Sequence, residues 1–314
     1  MSQSQLDIPI AVPAISPRPK LVFQDPRFLL VPGLILTIII IGYPAGDLLW
    51  LSLHSVSRFG RILGANAFGN YRDLFLDPLF VASIWRTLIW TVTVVGGTMA
   101  ISIPVALILN EEFHGRGIAR TVIMLPWSVS LTMTAVVWRW ALNGRAGLLN
   151  ATLMNLGVMQ TPIEWLGRAH LAFCVEIVVG ILVSIPFTTT ILLGGLSSIP
   201  RDIYEAGAVD GGRPYRLFLH MTMPLLKPFL NIAIVLNIIY VFNSFPIIWV
   251  MTAGGPADET DIMVTYLYKL AFQFGQLGKA AAISIIMLTI LLIFTIIYAT
   301  LLMRGKQSSV AEEV

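Results

Sequence analysis

The stretch 280–303 reads AAAISIIMLTILLIFTIIYATLLM, 24 residues without one charged side chain. As a helix it reaches about 36 Å, enough to cross a hydrocarbon core of about 30 Å. It is far longer than the roughly 10-residue alternating strands of an outer-membrane barrel. A helix is the remaining way to satisfy every backbone group in lipid. Working outward, five more runs of this kind occupy roughly 28–52, 81–109, 119–141, 171–193 and 225–250, beside the one at 279–303. The sequence therefore predicts an all-α membrane protein with six transmembrane helices in one membrane domain, 28–303.

Composition agrees. Of 314 residues 56% are hydrophobic and 12% charged, with a mean hydropathy of +0.82. Soluble domains carry about 25% charged residues, so much of this surface must be covered by lipid. A net charge of +3 and a pI near 9.1 suit a neighbourhood of anionic headgroups. Nucleic-acid binding would need basic stripes interleaved with aromatics, and the sequence has none. Cys174 stands alone in an apolar run, which excludes an internal disulfide and a thiolate metal site and leaves a small apolar packing residue.

The first apolar run is too long for the core of a signal peptide. The residues before it carry Pro9, Pro13, Pro17 and Pro19, so 1–27 is expected to be a disordered tail; 304–314 forms a second tail. The gaps 54–80 and 142–170 hold aromatic and turn residues suited to short interfacial helices. His54, His114, His170 and His220 show no metal-ligand spacing. The stretch 275–280 lacks both the spacing and the hydroxyl of a phosphate-binding loop.

One polar segment stands apart, at about 197–224. Pro200 is placed to open a helix, and Arg201 to Val209 gives about two turns with Ile203 and Ala206 on one face. Asp210, Gly211 and Gly212 break it, Pro214 restarts it, and Pro224 and Pro228 punctuate the entry to the next crossing. The reading is two short helices joined by a glycine turn outside the bilayer. Ala206, Gly207 and Ala208 are small enough to let another protein approach the backbone.

The spacing Glu205-Ala206-Gly207, three residues, Gly211, nine residues, Met221-x-Met223-Pro224 resembles the EAA loop of ABC importer permeases. The family form reads Glu-Ala-Ala-x3-Gly-x9-Ile-x-Leu-Pro. Gly207 departs from the second alanine, and the two methionines depart from Ile and Leu. Phe68 to Tyr71, Asp77-Pro78 and Phe80 resemble the first periplasmic segment of sugar-importer permeases of the maltose type. Thr252 to Pro256, with Thr260 and Tyr268, resembles their TxGGP stretch. The resemblance covers nearly all of the chain beyond residue 28 and implies the type I ABC importer permease fold.

It further implies that Glu205, Ala206, Gly207, Asp210 and Gly211 contact a separate cytoplasmic ATPase. ATP and Mg would be bound by that partner, with no cofactor in this chain. The implied partners are two ATPase subunits, a second, different permease, an extracytoplasmic solute-binding protein and a sugar. The implied place is a bacterial or archaeal cytoplasmic membrane with both termini inside. Charge alone hardly decides the orientation, since 11 Lys and Arg fall on the proposed inner side and 9 on the outer.

Polar groups inside a crossing face the bundle interior or a watery path. Asn237, Tyr240 and Ser244 recur at three and four residues, with Asn243 beside them, and either line a sugar path or join helices. By resemblance Ser184 and Phe187, beside a helix interruption at Pro186, and Trp127 after Pro126 line the same cavity. Glu176 is the one acid well inside an apolar run; it reaches headgroups, pairs with Arg139, or relays protons. A stand-alone secondary transporter or channel for a small polar solute is the competing reading. It calls for repeated broken helices or intramembrane ion-coupling residues, which the sequence lacks. A membrane-embedded enzyme calls for matched catalytic clusters, also missing.

Overall fold

A computed structural model of the chain describes the backbone of residues 26–311 and the side chains of residues 30–302. The expected tail 1–27 lies outside the described residues apart from Pro26 and Arg27, where α1 begins. The chain divides into two units, 1–47 and 48–314. The first holds α1 (Pro26–Thr37) and a π turn (Ile38–Gly42), and α2 (Tyr43–Ser52) leads into the second.

In the second unit a small antiparallel hairpin, β1 (His54–Val56) and β2 (Ile62–Ala65), precedes α3 (Gly69–Phe75). The hairpin departs from the all-helical expectation; strands of three and four residues are too short to show an alternation in sequence. Asp77 caps α4 (Pro78–Asn110), its Oδ1 accepting from the Leu79 amide at 3.0 Å, and Pro78 occupies the first turn, where its missing donor costs nothing.

The third apolar run is not one straight helix. α5 (Arg116–Met124) and a 3-10 turn (Leu125–Ser128) meet α6 (Leu131–Ala141) at a 91° bend. Pro126 and the extended Val129 and Ser130 carry the break. α7 (Leu148–Asn155) follows in the next gap.

α8 (Ala169–Ser197) corrects the expectation of an interruption at Pro186, for it runs unbroken through that residue. The hydroxyls around the proline bond back to the helix. Ser184 donates to Gly180 O at 2.8 Å, Thr188 to Ser184 O at 2.9 Å and Thr190 to Pro186 O at 2.8 Å. These are ordinary back-bonds one turn along the helix; the oxygen that Pro186 leaves without its amide donor is that of Leu182, which none of them reaches.

After α9 (Arg201–Val209), α10 (Pro214–Leu217) passes through a π turn (Phe218–Thr222) into α11 (Met223–Phe242). Pro214–Phe242 is thus one span of 29 residues, and Pro224 and Pro228 do not separate it from α10. The run 225–250 breaks at Asn243. α12 (Phe245–Met251) is a separate short helix, followed by α13 (Met263–Tyr268), a π turn (Lys269–Gln273) and α14 (Leu277–Ala311). Among the described residues five helices are long and apolar enough to cross a membrane, and there are six if the bent pair counts as one span.

Within the second unit α4 lies along α8, and α11 packs against both. Gly180 lets the Trp90 ring approach: a β-carbon there would sit 2.9 Å from the indole edge. Trp90 is fully buried, and its Nε1 donates to Val241 O at 3.0 Å, supplying the partner that a buried indole needs. Cys174, expected to pack inside, is exposed on the outer face of α8.

Candidate functional site

The polar elbow between α8 and α11 is built by its glycines. α9 ends in a Schellman motif: the Gly212 amide donates to Gly207 O at 2.9 Å and the Gly211 amide to Ala208 O at 3.0 Å. Gly211 sits at φ +77°, a conformation that favours glycine. Gly207 is the buried residue of α9; a β-carbon there would lie 2.6 Å from Leu217 Cδ2 and 2.8 Å from Met221 Sδ. The departure from the family's second alanine thus has a packing reason in this chain. Ile203 and Ala206, expected on one face, differ in burial. Ile203, Tyr204 and Gly207 pack inward, while Glu205, Ala206, Asp210 and Gly211 are exposed.

A cleft of about 780 Å³ opens beside the elbow, lined among others by Asn110, Glu111, Glu112, Arg116, Arg201 and Glu205. Arg201 donates to Glu112 across it. That hydrogen bond, with the guanidinium charge behind it, holds the Glu112 carboxyl below its ordinary value. Arg120 caps the end of α4 by donating to Leu109 O from Nε at 3.1 Å and Nη2 at 2.9 Å.

The proposed path residues divide. Trp127 is exposed and stacks on Phe187, ring centroids 6.0 Å apart, so the bend of one span meets the middle of another. Tyr240 and Asn243 are exposed. Ser184, Asn237 and Ser244 are buried. Asn237 donates to Thr188 Oγ1 at 2.9 Å and to Ala233 O at 2.8 Å, joining α11 to α8. The single polar face expected of Asn237, Tyr240 and Ser244 does not form, because α11 ends at Phe242 and Ser244 lies beyond it.

Two groups in the segment from Asn243 to Gln273 escaped sequence reading. Phe245, Trp249, Tyr268 and Phe272 form a run of rings with neighbouring centroids 4.5–5.4 Å apart. The signal was Ser244-Phe245-Pro246, a helix restart hidden within an apolar run. Lys269 donates to Asp258 and Asp261, each at 2.6 Å. Burial pushes the Asp261 carboxyl up, with Lys269 pulling it partly back. Gly254, at φ +82°, lies against both partners. Glu176 is fully buried and contacts Thr252, whereas Arg139 donates to Val250 O; the expected pair between them, and the reach to headgroups, are both corrected.

Long apolar helices packed around hydroxyls and amides, with an exposed polar elbow, define a polytopic membrane protein. Residues 58–304 match the family described as binding-protein-dependent transport system inner membrane component, and the chain belongs to that family of ABC transporter permeases. It is 58% identical over 283 residues to a probable ABC transporter permease protein of Brucella suis biovar 1 (strain 1330), covering 90% of this chain and 98% of that one. The trehalose/maltose transport system permease protein of Thermococcus litoralis is 34% identical over 285 residues, covering 89% and 95%. A solved bacterial alginate ABC transporter, in complex with an alginate pentasaccharide-bound periplasmic protein, contains a chain of like fold. Its TM-score is 0.74 at 22% identity, with coverage of 87% and 92%.

Proposed function

We propose that this chain is a permease subunit of an ABC importer that translocates a sugar or sugar derivative, with the elbow at 197–224 as its grip on a separate ATPase. The observation that carries the reading is the exposed α9, closed by Gly211 and presenting Glu205, Ala206 and Asp210 to solvent beside a charged cleft. A surface of small residues on a rigidly capped helix suits insertion into a partner. The sugar class is supported by the trehalose/maltose permease among the relatives and by the alginate transporter among like folds.

On this reading two ATPase subunits bind ATP and Mg and supply the hydrolysis that this chain does not perform. A second permease completes the pathway, and a solute-binding protein delivers the sugar on the far side. The elbow and both termini then face the cytoplasm of a bacterium or archaeon. Trp127, Tyr240 and Asn243 on the exposed surface, with the half-buried Phe187 stacked on Trp127, supply ring faces and hydrogen-bonding groups, which suits carbohydrate. Ser184, Asn237 and Ser244 act from within as supports.

The test is the co-purified complex with its binding protein, assayed for ATPase stimulation and uptake across a sugar panel. Ala206→Trp and Gly211→Pro should abolish stimulated ATPase and uptake while the chain still inserts. Full stimulation and uptake in both variants would exclude the elbow as the coupling surface. Uptake by the wild-type chain alone, without ATPase subunits, would support the channel or secondary-transporter reading.

A further inference from the structure

Glu176 lies near the start of α8, is fully buried, and joins none of the ion pairs among the described residues. The cations nearby are engaged elsewhere. Arg139, on α6, donates to Val250 O at 3.1 Å, and Lys269 is held between Asp258 and Asp261. Glu176 Oε2 has no hydrogen-bond partner, and its Oε1 is 2.7 Å from Thr252 Oγ1. An ionised carboxylate in that position would be buried with one hydroxyl as its whole support, which is heavily penalised.

Counting hydrogens gives the direction of the bond. Thr252 Oγ1 has one hydrogen to give and two lone pairs. Its neighbours are Glu176 Oε1, Thr260 Oγ1 at 2.8 Å, Ile248 O at 3.2 Å and the Gly254 amide, which donates to it at 3.2 Å. Thr260 Oγ1 is 2.9 Å from Gly255 O, which can only accept. If Thr260 donates to Gly255 O, then Thr252 must donate to Thr260, and the bond at 2.7 Å must be donated by Glu176. The opposite direction leaves Gly255 O without this donor and leaves a bare charge on Glu176. One polarity makes every short contact a hydrogen bond, and bonds in such a chain reinforce one another.

We infer that Glu176, as an un-ionised carboxyl group, donates the first bond of a chain through Thr252 and Thr260 to the Gly255 carbonyl, and so ties the loop that follows α12 to α8. Glu176 is a positioning residue. Thr252 closes the C-terminal end of α12, whose other end adjoins Asn243 and Ser244. From Glu176 to Ser197 α8 extends about 32 Å as a continuous helix, and α9 follows three residues later. One rod therefore joins the elbow to α12, and the Glu176 chain is its far attachment. That mechanical role rests on the elbow being the coupling surface; the hydrogen-bond chain itself does not.

The experiment uses the assembled transporter in lipid nanodiscs with Glu176→Gln, Glu176→Ala, Thr252→Val and Thr252→Ser. An infrared difference spectrum between wild type and E176Q should show a protonated carboxyl band that the variant lacks. E176Q, whose amide also donates, and T252S should keep amide protection across 252–262 within about twofold of wild type, while E176A and T252V raise exchange there about tenfold or more. In E176A sugar-stimulated ATPase should fall while basal ATPase persists. No carboxyl band, damage by E176Q equal to that of E176A, or unchanged exchange in E176A would each overturn the hydrogen-bond chain. Full stimulation in E176A would overturn its mechanical role. The spectrum and the exchange rates do not depend on the ATPase, so failure of the elbow reading leaves them standing.

Discussion

The elbow at 197–224 and the segment at 243–273 are both departures from the long helices, and they use polar groups in opposite ways. In the elbow the charged side chains are exposed, and the one ion pair, Arg201 with Glu112, is open to water on both sides. In the segment at 243–273 Asp261, Thr260 and Lys269 are buried and bonded to one another or to the backbone. The elbow takes its shape from backbone geometry, a Schellman turn and three glycines, leaving Glu205, Ala206 and Asp210 exposed. The other segment takes its shape from side chains bonded to one another. Under the proposed function the first is a surface to be touched and the second one that holds itself, and they are told apart by where their hydrogen bonds end.

The largest effect should come from removing the cation of the self-held region. Lys269→Met leaves Asp258 and Asp261 without their shared donor, and breaking a buried pair from one side costs about 3–5 kcal/mol. Unfolding of the purified protein in mixed micelles should show that loss. The double variant K269M/D261N should recover a substantial part of it, because the uncompensated charge is gone. If K269M alone were as stable as wild type, the segment at 243–273 would be no more self-supporting than the elbow.

A smaller effect is expected inside the elbow. Gly207→Val drives a side chain into Leu217 and Met221, whose contact points are the flexible ends of their side chains. Overpacking of this sort costs about 1–3 kcal/mol, and the same melting experiment reads it. Ala206→Trp, one residue away and exposed, should change stability by less than about 0.5 kcal/mol. Under the proposed function its effect is on coupling rather than on folding. Equal destabilisation by both variants would mean that α9 buries a different face.

The membrane spans were legible because lipid imposes a length, and six apolar runs met it. The elbow was legible because Gly211 and its neighbours punctuate in the chain as they do in space. The break at Asn243 was not, since Phe245 to Met251 is as apolar as a crossing and hydropathy cannot separate a second short helix from the helix before it. Pro186 misled in the opposite sense. One proline removes one donor, the amide that would serve Leu182 O, and a helix packed against α4 and α11 absorbs that loss. The partners of Lys269 and Glu176 were out of reach because a one-dimensional pattern does not say which charges meet after the chain turns back.

The smallest effect should belong to the Arg201–Glu112 pair, and it sharpens the contrast through its response to conditions. Exposed pairs gain little and are screened by salt. Because the folded protein lowers the Glu112 carboxyl below its ordinary value, the pair's contribution is fully present above that value and is lost as pH falls through the lowered one. Between about pH 6 and pH 8 the pair should therefore be indifferent to pH, whereas added salt should weaken it. Glu112→Gln should leave melting nearly unchanged and should remove the salt dependence of how tightly the ATPase subunits bind. Should E112Q melt as poorly as K269M, the cleft beside the elbow would be a buried strut, and the division between a touched surface and a self-held one would not survive.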